Sequence, residues 1–118
     1  MKKILICDDE EGIRKSLELI LGEKYKLIFA ECGKNCMEQL KNHPDIPLVL
    51  TDIKMPKQNG IALTKEIKDL YPNIKVVMVT GYNCAEIAQQ ATENGADDYI
   101  VKPFETDDVL KKVESYMQ

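Results

Sequence analysis

Apolar and polar positions follow two rhythms along this chain of 118 residues. Short, mostly apolar or β-branched runs occupy residues 3–7, 25–30, 47–51, 74–79 and 98–101, and each is predicted to form a strand. Between them apolar residues recur at helical spacing. Ile13, Leu17, Ile20 and Leu21 mark the inner face of a first helix over 10–22, with Gly22 placed to end it. A second helix is expected over 33–42, with Cys36 and Leu40 inward and a break at Pro44. A third runs from Asn59 to Leu70 with Leu63, Ile67 and Leu70 on one face, and Pro72-Asn73 turns the chain. The fourth, over 83–94, carries Cys84, Ile87, Ala88 and Ala91 inward, and Asn94-Gly95 stops it. The fifth, over 105–117, has Thr106 as its expected cap and Val109, Val113 and Tyr116 as inner positions. Strand and helix alternate five times. That pattern implies an α/β fold: a (βα)5 doubly wound, five-stranded parallel sheet with helices on both faces.

The ends of the strands carry the chemistry. The run Leu48–Leu50 stops at Asp52, and Pro56 prevents its continuation through the loop 52–58. Asp52 alone is ambiguous between a residue that begins a turn and one at the ligand-binding edge of a sheet. A second stretch decides it, because Ile4-Leu5-Ile6-Cys7 runs into Asp8-Asp9-Glu10. Carboxylates brought together there repel by roughly 1–4 kcal/mol per pair at about 4 Å. Such a cluster calls for a cation, and oxygen ligands beside a phosphate suit Mg²⁺. Thr80-Gly81 follows the fourth strand and Lys102-Pro103 the fifth. The informative polar residues therefore converge on one edge.

Composition narrows the function classes. The length is that of one domain, and 44% hydrophobic with 31% charged residues is ordinary for a globular protein. A net charge of −4 argues against direct nucleic-acid binding. Met1-Lys2-Lys3 before Ile4–Ile6 is too short for a signal peptide, and no segment could span a membrane. Cys7, Cys32, Cys36 and Cys84 lack the matching pair that a zinc site needs, and His43 is the sole histidine. Free thiols in a reducing cytoplasm are the expectation.

Taken together, Asp8-Asp9, Asp52, Thr80 and Lys102 in this order make the chain resemble the receiver domains of two-component response regulators, from Lys3 to about Met117. The resemblance implies a flavodoxin-like strand order of 2-1-3-4-5. It implies that Asp52 is the phosphoacceptor, that Asp8, Asp9, Asp52 and the main-chain carbonyl of Lys54 hold Mg²⁺, and that Thr80 and Lys102 contact the phosphoryl group. Tyr99 falls at the aromatic switch position, where the reading without the family is a half-buried strand residue. Pro103 is expected to follow a cis peptide. The implied partners are a sensor histidine kinase or a histidine phosphotransfer protein, and a downstream effector.

The chemistry is coherent by itself. A carboxylate nucleophile can accept a phosphoryl group as an acyl phosphate. A divalent cation and a lysine ammonium offset charge on its oxygens, and a threonine hydroxyl can donate to another. Gly81 is expected to leave room for the approach. If Thr80 moves towards the group, Tyr99 can turn inward, and the fourth helix, with its small inner residues, can repack. The readout surface is then the fourth helix, fifth strand and fifth helix. Lys54 and Tyr82 are expected either to crowd the path of an attacking water, prolonging the phosphorylated state, or to point into solvent. A Mg²⁺-dependent aspartyl phosphatase would want a second acid where Lys54 stands. A flavodoxin-type cofactor binder would want a glycine- and hydroxyl-rich loop where Asp8-Asp9-Glu10 stands. A receiver that acts by binding alone is disfavoured by the intact set of polar residues. Whether the chain is a stand-alone relay protein or one module of a longer regulator is not legible.

Overall fold

The computed structural model describes residues 1–55, 58–81 and 85–117. Five strands form one parallel sheet: β1 (Lys3–Cys7), β2 (Lys26–Ala30), β3 (Leu48–Thr51), β4 (Lys75–Thr80) and β5 (Asp98–Val101). Their spatial order is β2-β1-β3-β4-β5, the expected flavodoxin-like order. Helices α1 (Glu11–Leu21), α2 (Gly33–Asn42), α3 (Gly60–Leu70), α4 (Ala85–Glu93) and α5 (Thr106–Tyr116) connect or follow the strands. The register aligns the carboxyl ends, with Cys7 opposite both Ala30 and Thr51, and Thr80 opposite Val101. Residues just past these positions therefore share one edge.

The sheet separates two cores, because successive strand residues face opposite sides. Leu5, Cys7, Val49, Val76 and Met78 pack with Cys36, Leu40, Leu63, Ile67 and Ala91 of α2, α3 and α4. Ile4, Ile6, Leu48, Leu50, Val77 and Val79 pack with Leu17, Leu21, Val109 and Val113 of α1 and α5. Both faces of the sheet are covered, which explains why the strands read as continuous apolar runs. Cys7, Cys32 and Cys36 are free thiols. Contact with Cys7 and burial both push the Cys36 thiol well above its ordinary pKa, so it serves as a small apolar residue. Among the described residues no helix is long and apolar enough to cross a membrane.

Several expectations need correction. Leu70 falls on the predicted inner stripe of α3 but is 62% exposed. It lies in the last turn, where Tyr71 and Ile74 cover the core instead. Thr106 is the first residue of α5, not its cap. Glu105 takes the cap position without a side-chain hydrogen bond, and Asp107 and Asp108 in the first turn complement the helix dipole. The loop after β3 contains a two-residue antiparallel ribbon pairing Lys54–Met55 with Gln58–Asn59. Asn94-Gly95 does stop α4, with Gly95 at φ +102° and the Ala96 N–H donating back to Ala91 O. Pro56, Tyr82, Asn83 and Cys84 lie outside the described residues.

Candidate functional site

The carboxyl edge of the sheet gathers the acids. Asp8 continues the β1–β2 ladder by donating its N–H to Ala30 O at 3.0 Å, and Asp52 donates its N–H to Cys7 O at 3.0 Å. Both side chains are therefore anchored by strand pairing, and both residues are buried, at 2% and 5% exposure. Arg14 of α1 donates to Asp8 O at 2.8 Å and pairs with Glu31 at 3.5 Å, tying the start of the acidic loop to its own helix. The Glu10 N–H caps Asp8 Oδ1 at 2.9 Å.

Asp52 is held on both carboxylate oxygens. Oδ1 accepts the Ile53 N–H at 2.7 Å and the Lys54 N–H at 3.4 Å. Oδ2 accepts Lys102 Nζ at 3.1 Å. The same ammonium reaches Asp8 Oδ2 at 3.3 Å and Glu10 Oε1 at 3.8 Å. Lys102 itself is fixed by its main-chain N–H, which donates to Thr80 O at 2.7 Å, and the Lys102–Pro103 peptide is cis.

Burial raises the Asp8 carboxyl above its ordinary pKa, and the neighbouring Asp52 charge adds to this against the Glu10 N–H and Lys102. For Lys102 burial pulls the other way, but hydrogen bonding to Asp52 and the charges of Asp8 and Asp52 outweigh it and leave the ammonium more basic than usual. One oxygen from each of Asp8, Asp9, Glu10 and Asp52 lies within 4.8 Å of the others. Four carboxylates against one ammonium leave three negative charges at this edge. The donor set is all oxygen and fits a hard divalent cation.

Thr80 is 2% exposed at the end of β4, while Tyr99 in β5 is 40% exposed. Lys112 of α5 lies over the Tyr99 ring at 5.5 Å, donates to Tyr99 O at 2.8 Å and pairs with Asp98 at 3.1 Å. The Lys54 side chain is exposed. A Cβ built on Gly81 would meet no described atom within 4 Å beyond its chain neighbours.

Sequence reasoning passed over three participants. Glu10 belongs to the acidic cluster, although the expected ligand set takes only Asp8, Asp9 and Asp52 from its carboxylates. Arg14 supports Asp8 from one turn into α1. Gly60, at the first residue of α3, packs directly on the Asp52–Ile53 peptide. The available signal was Asn59-Gly60, a good cap followed by a poor helix former.

The model of the response regulator receiver domain family matches residues 4–114. The chain is 36% identical over 118 residues to sporulation initiation phosphotransferase F of Bacillus subtilis, covering 98% of this chain and 94% of that one. It is 37% identical to the transcriptional regulatory protein ZraR of Escherichia coli, covering 94% of this chain but only 25% of ZraR. The chain thus spans about a quarter of that relative's length. A crystal structure of a CheY-like response regulator receiver domain protein from Methanospirillum hungatei superposes with a TM-score of 0.90 at 35% identity, covering 98% of this chain and 92% of that one. Fold, strand order and sequence agree: this chain belongs to the response regulator receiver domain family.

Proposed function

We propose that the chain is a phosphorylation-controlled signalling receiver in which Asp52 accepts a phosphoryl group from a phosphohistidine on a sensor kinase or histidine phosphotransfer protein. The observation that carries this reading is the Asp52 carboxylate at the end of β3, inside an acidic cluster and 3.1 Å from Lys102 Nζ. In the transfer the P–N bond of the donor breaks as a P–O bond to Asp52 forms, and the electron pair returns to the imidazole nitrogen. The two main-chain N–H groups on Oδ1 and the ammonium on Oδ2 orient the nucleophile. Lys102 would pair with the incoming group. Thr80 is the hydroxyl that would donate to it.

Asp8, Asp9, Asp52 and the main-chain carbonyl of Lys54 would hold Mg²⁺. When bound, the ion supplies neutralisation of the charge gathered at the acceptor. Tyr99 is the reporter of the modified state, and the surface formed by α4, β5 and α5 is its readout to an effector. The chain catalyses only its own phosphoryl transfer and dephosphorylation, and it works in the cytoplasm.

Intact mass after incubation with acetyl phosphate, with and without Mg²⁺, tests this. One Mg²⁺-dependent, hydroxylamine-labile phosphoryl adduct is expected, absent from Asp52→Asn. No adduct on the wild type at saturating Mg²⁺ would instead indicate a receiver that acts by binding alone.

A further inference from the structure

We infer that Gly60, backed by Thr51 and Thr64, is a positioning residue for Asp52: the first turn of α3 clamps the Asp52–Ile53 peptide and thereby aims the carboxylate. This rests on the reading of Asp52 as the phosphoacceptor. The Asp52–Ile53 peptide unit does two things at once. Its N–H, on Ile53, donates to Asp52 Oδ1 at 2.7 Å, the shortest bond that carboxylate makes. Its carbonyl, on Asp52, faces α3. A Cβ placed on Gly60 would overlap that carbonyl oxygen and lie 2.8 Å from both Asp52 C and Ile53 Cα. The three nearest atoms are all backbone, so no flexible side chain can yield to relieve the overlap.

The remaining contacts fix the peptide from other sides. The Gly60 N–H donates to Ile53 O at 2.6 Å. The Thr51 hydroxyl donates to Asp52 O at 3.1 Å. The Thr64 hydroxyl donates to Gly60 O at 2.8 Å, and Asn59 caps the helix through the Ile61 N–H at 2.7 Å. Thr51 and Thr64 are both fully buried, so their hydroxyls have no exchange with water to compete for these bonds. A peptide plane seized on its carbonyl side cannot turn without moving its N–H, and the N–H is what holds Oδ1. A methyl at position 60 must therefore rotate or displace this plane and spoil the aim of Asp52.

The test is Gly60→Ala in the full chain, beside a core variant of matched melting midpoint chosen from Ile67→Val and Leu63→Ala, whose side chains are buried in the core along α3. Two readouts are needed. The Ile53 amide proton, in a short bond to a carboxylate, is expected far downfield in the wild type and the core variant, and shifted upfield in Gly60→Ala. The acetyl phosphate rate at saturating donor and Mg²⁺ is expected to fall by about tenfold or more in Gly60→Ala alone, because small misplacements of a reacting group are costly. An unmoved Ile53 amide, or a rate no lower than that of the matched core variant, overturns the inference. Should Gly60→Ala not fold, Thr64→Val is read in the same way with a smaller loss, restored by Thr64→Ser. If the wild type takes up no phosphoryl group, the proposed function falls, while the Ile53 amide still decides whether Gly60 sets the peptide.

Discussion

Lys102→Met removes one positive charge from between two carboxylates and leaves an unbranched chain of similar length. In the wild type Lys102 Nζ lies 3.1 Å from Asp52 Oδ2 and 3.3 Å from Asp8 Oδ2. The two carboxylates are only 7% and 3% exposed, so solvent screens them weakly. At an effective dielectric of about 20, each attraction amounts to roughly 5 kcal/mol, while the repulsion between the carboxylates is common to both proteins. Removing the ammonium also recovers its desolvation, on the order of several kcal/mol. Glu10 adds little, since its side chain is 63% exposed. The balance is a loss of about 3–5 kcal/mol, the usual cost of breaking a buried pair at one side. For a domain of this size that lowers the midpoint by roughly 10–20 °C. Thermal unfolding followed by circular dichroism in EDTA measures it. In saturating Mg²⁺ the gap should narrow, and the variant should bind Mg²⁺ more tightly than the wild type. A variant that melts within about 3 °C of the wild type in EDTA, where about 10 °C or more is expected, refutes the reasoning. Equal stabilisation of both proteins by Mg²⁺ refutes it too.

Other perturbations follow from the same contacts. Because burial holds the Asp8 carboxyl above its ordinary 3.8, its contribution to metal-free stability is present below that value and is lost as pH rises through the raised one. Asp8→Asn should therefore raise the urea midpoint at neutral pH in EDTA and flatten its fall from acid to neutral pH; a lower neutral midpoint would contradict this. Asp97→Ala removes the carboxylate that accepts the Val76 N–H at 2.9 Å and the Lys68 ammonium at 3.0 Å, leaving Lys68 only its bond to Ile74 O among those described. A loss of about 1–3 kcal/mol is expected by chemical denaturation, and a loss below about 0.5 kcal/mol, as for an ordinary surface site, would show the network to be idle. Lys112→Met releases the Tyr99 ring, and a contact of about 0.5–1 kcal/mol corresponds to a roughly two- to fivefold drop in the ratio of outward to inward ring. Ring proton shifts of Tyr99 report it, and unchanged shifts would remove Lys112 as the hold.

The strand-end residues were legible because each follows an apolar run whose length fixes where the strand stops. Placing Asp8, Asp52, Thr80 and Lys102 at strand ends needed no more than that, and the alternation of strand and helix supplied the common edge. What escaped notice depends on approach between segments distant in sequence. Gly60 reads as a weak helix start until the Asp52 carbonyl is seen against it. Thr51 and Thr64 read as strand and helix fillers, although their hydroxyls bond backbone on either side of the same turn. Leu70 shows the opposite failure. Its angular position was right, but angle says nothing about where the core ends along the helix axis, and Tyr71 closes it first.

Helix α3 is attached at both ends. At its start Gly60 grips the peptide after Asp52, and near its finish Lys68 donates to Ile74 O at 2.8 Å and to Asp97 at 3.0 Å. An α-helix resists stretching, since every turn is closed by its own hydrogen bonds. Mechanically this makes α3 a tie rod running from the acceptor loop to the opposite rim of the sheet, with Leu63 and Ile67 bolted into the core along its length. Load applied at Asp52 is carried to the Ile74–Asp97 corner with little slack. The give in this molecule must then lie in members anchored less firmly, and hydrogen exchange should find the amides of α3 slower than those of α4, whose described inner face buries only Ala91.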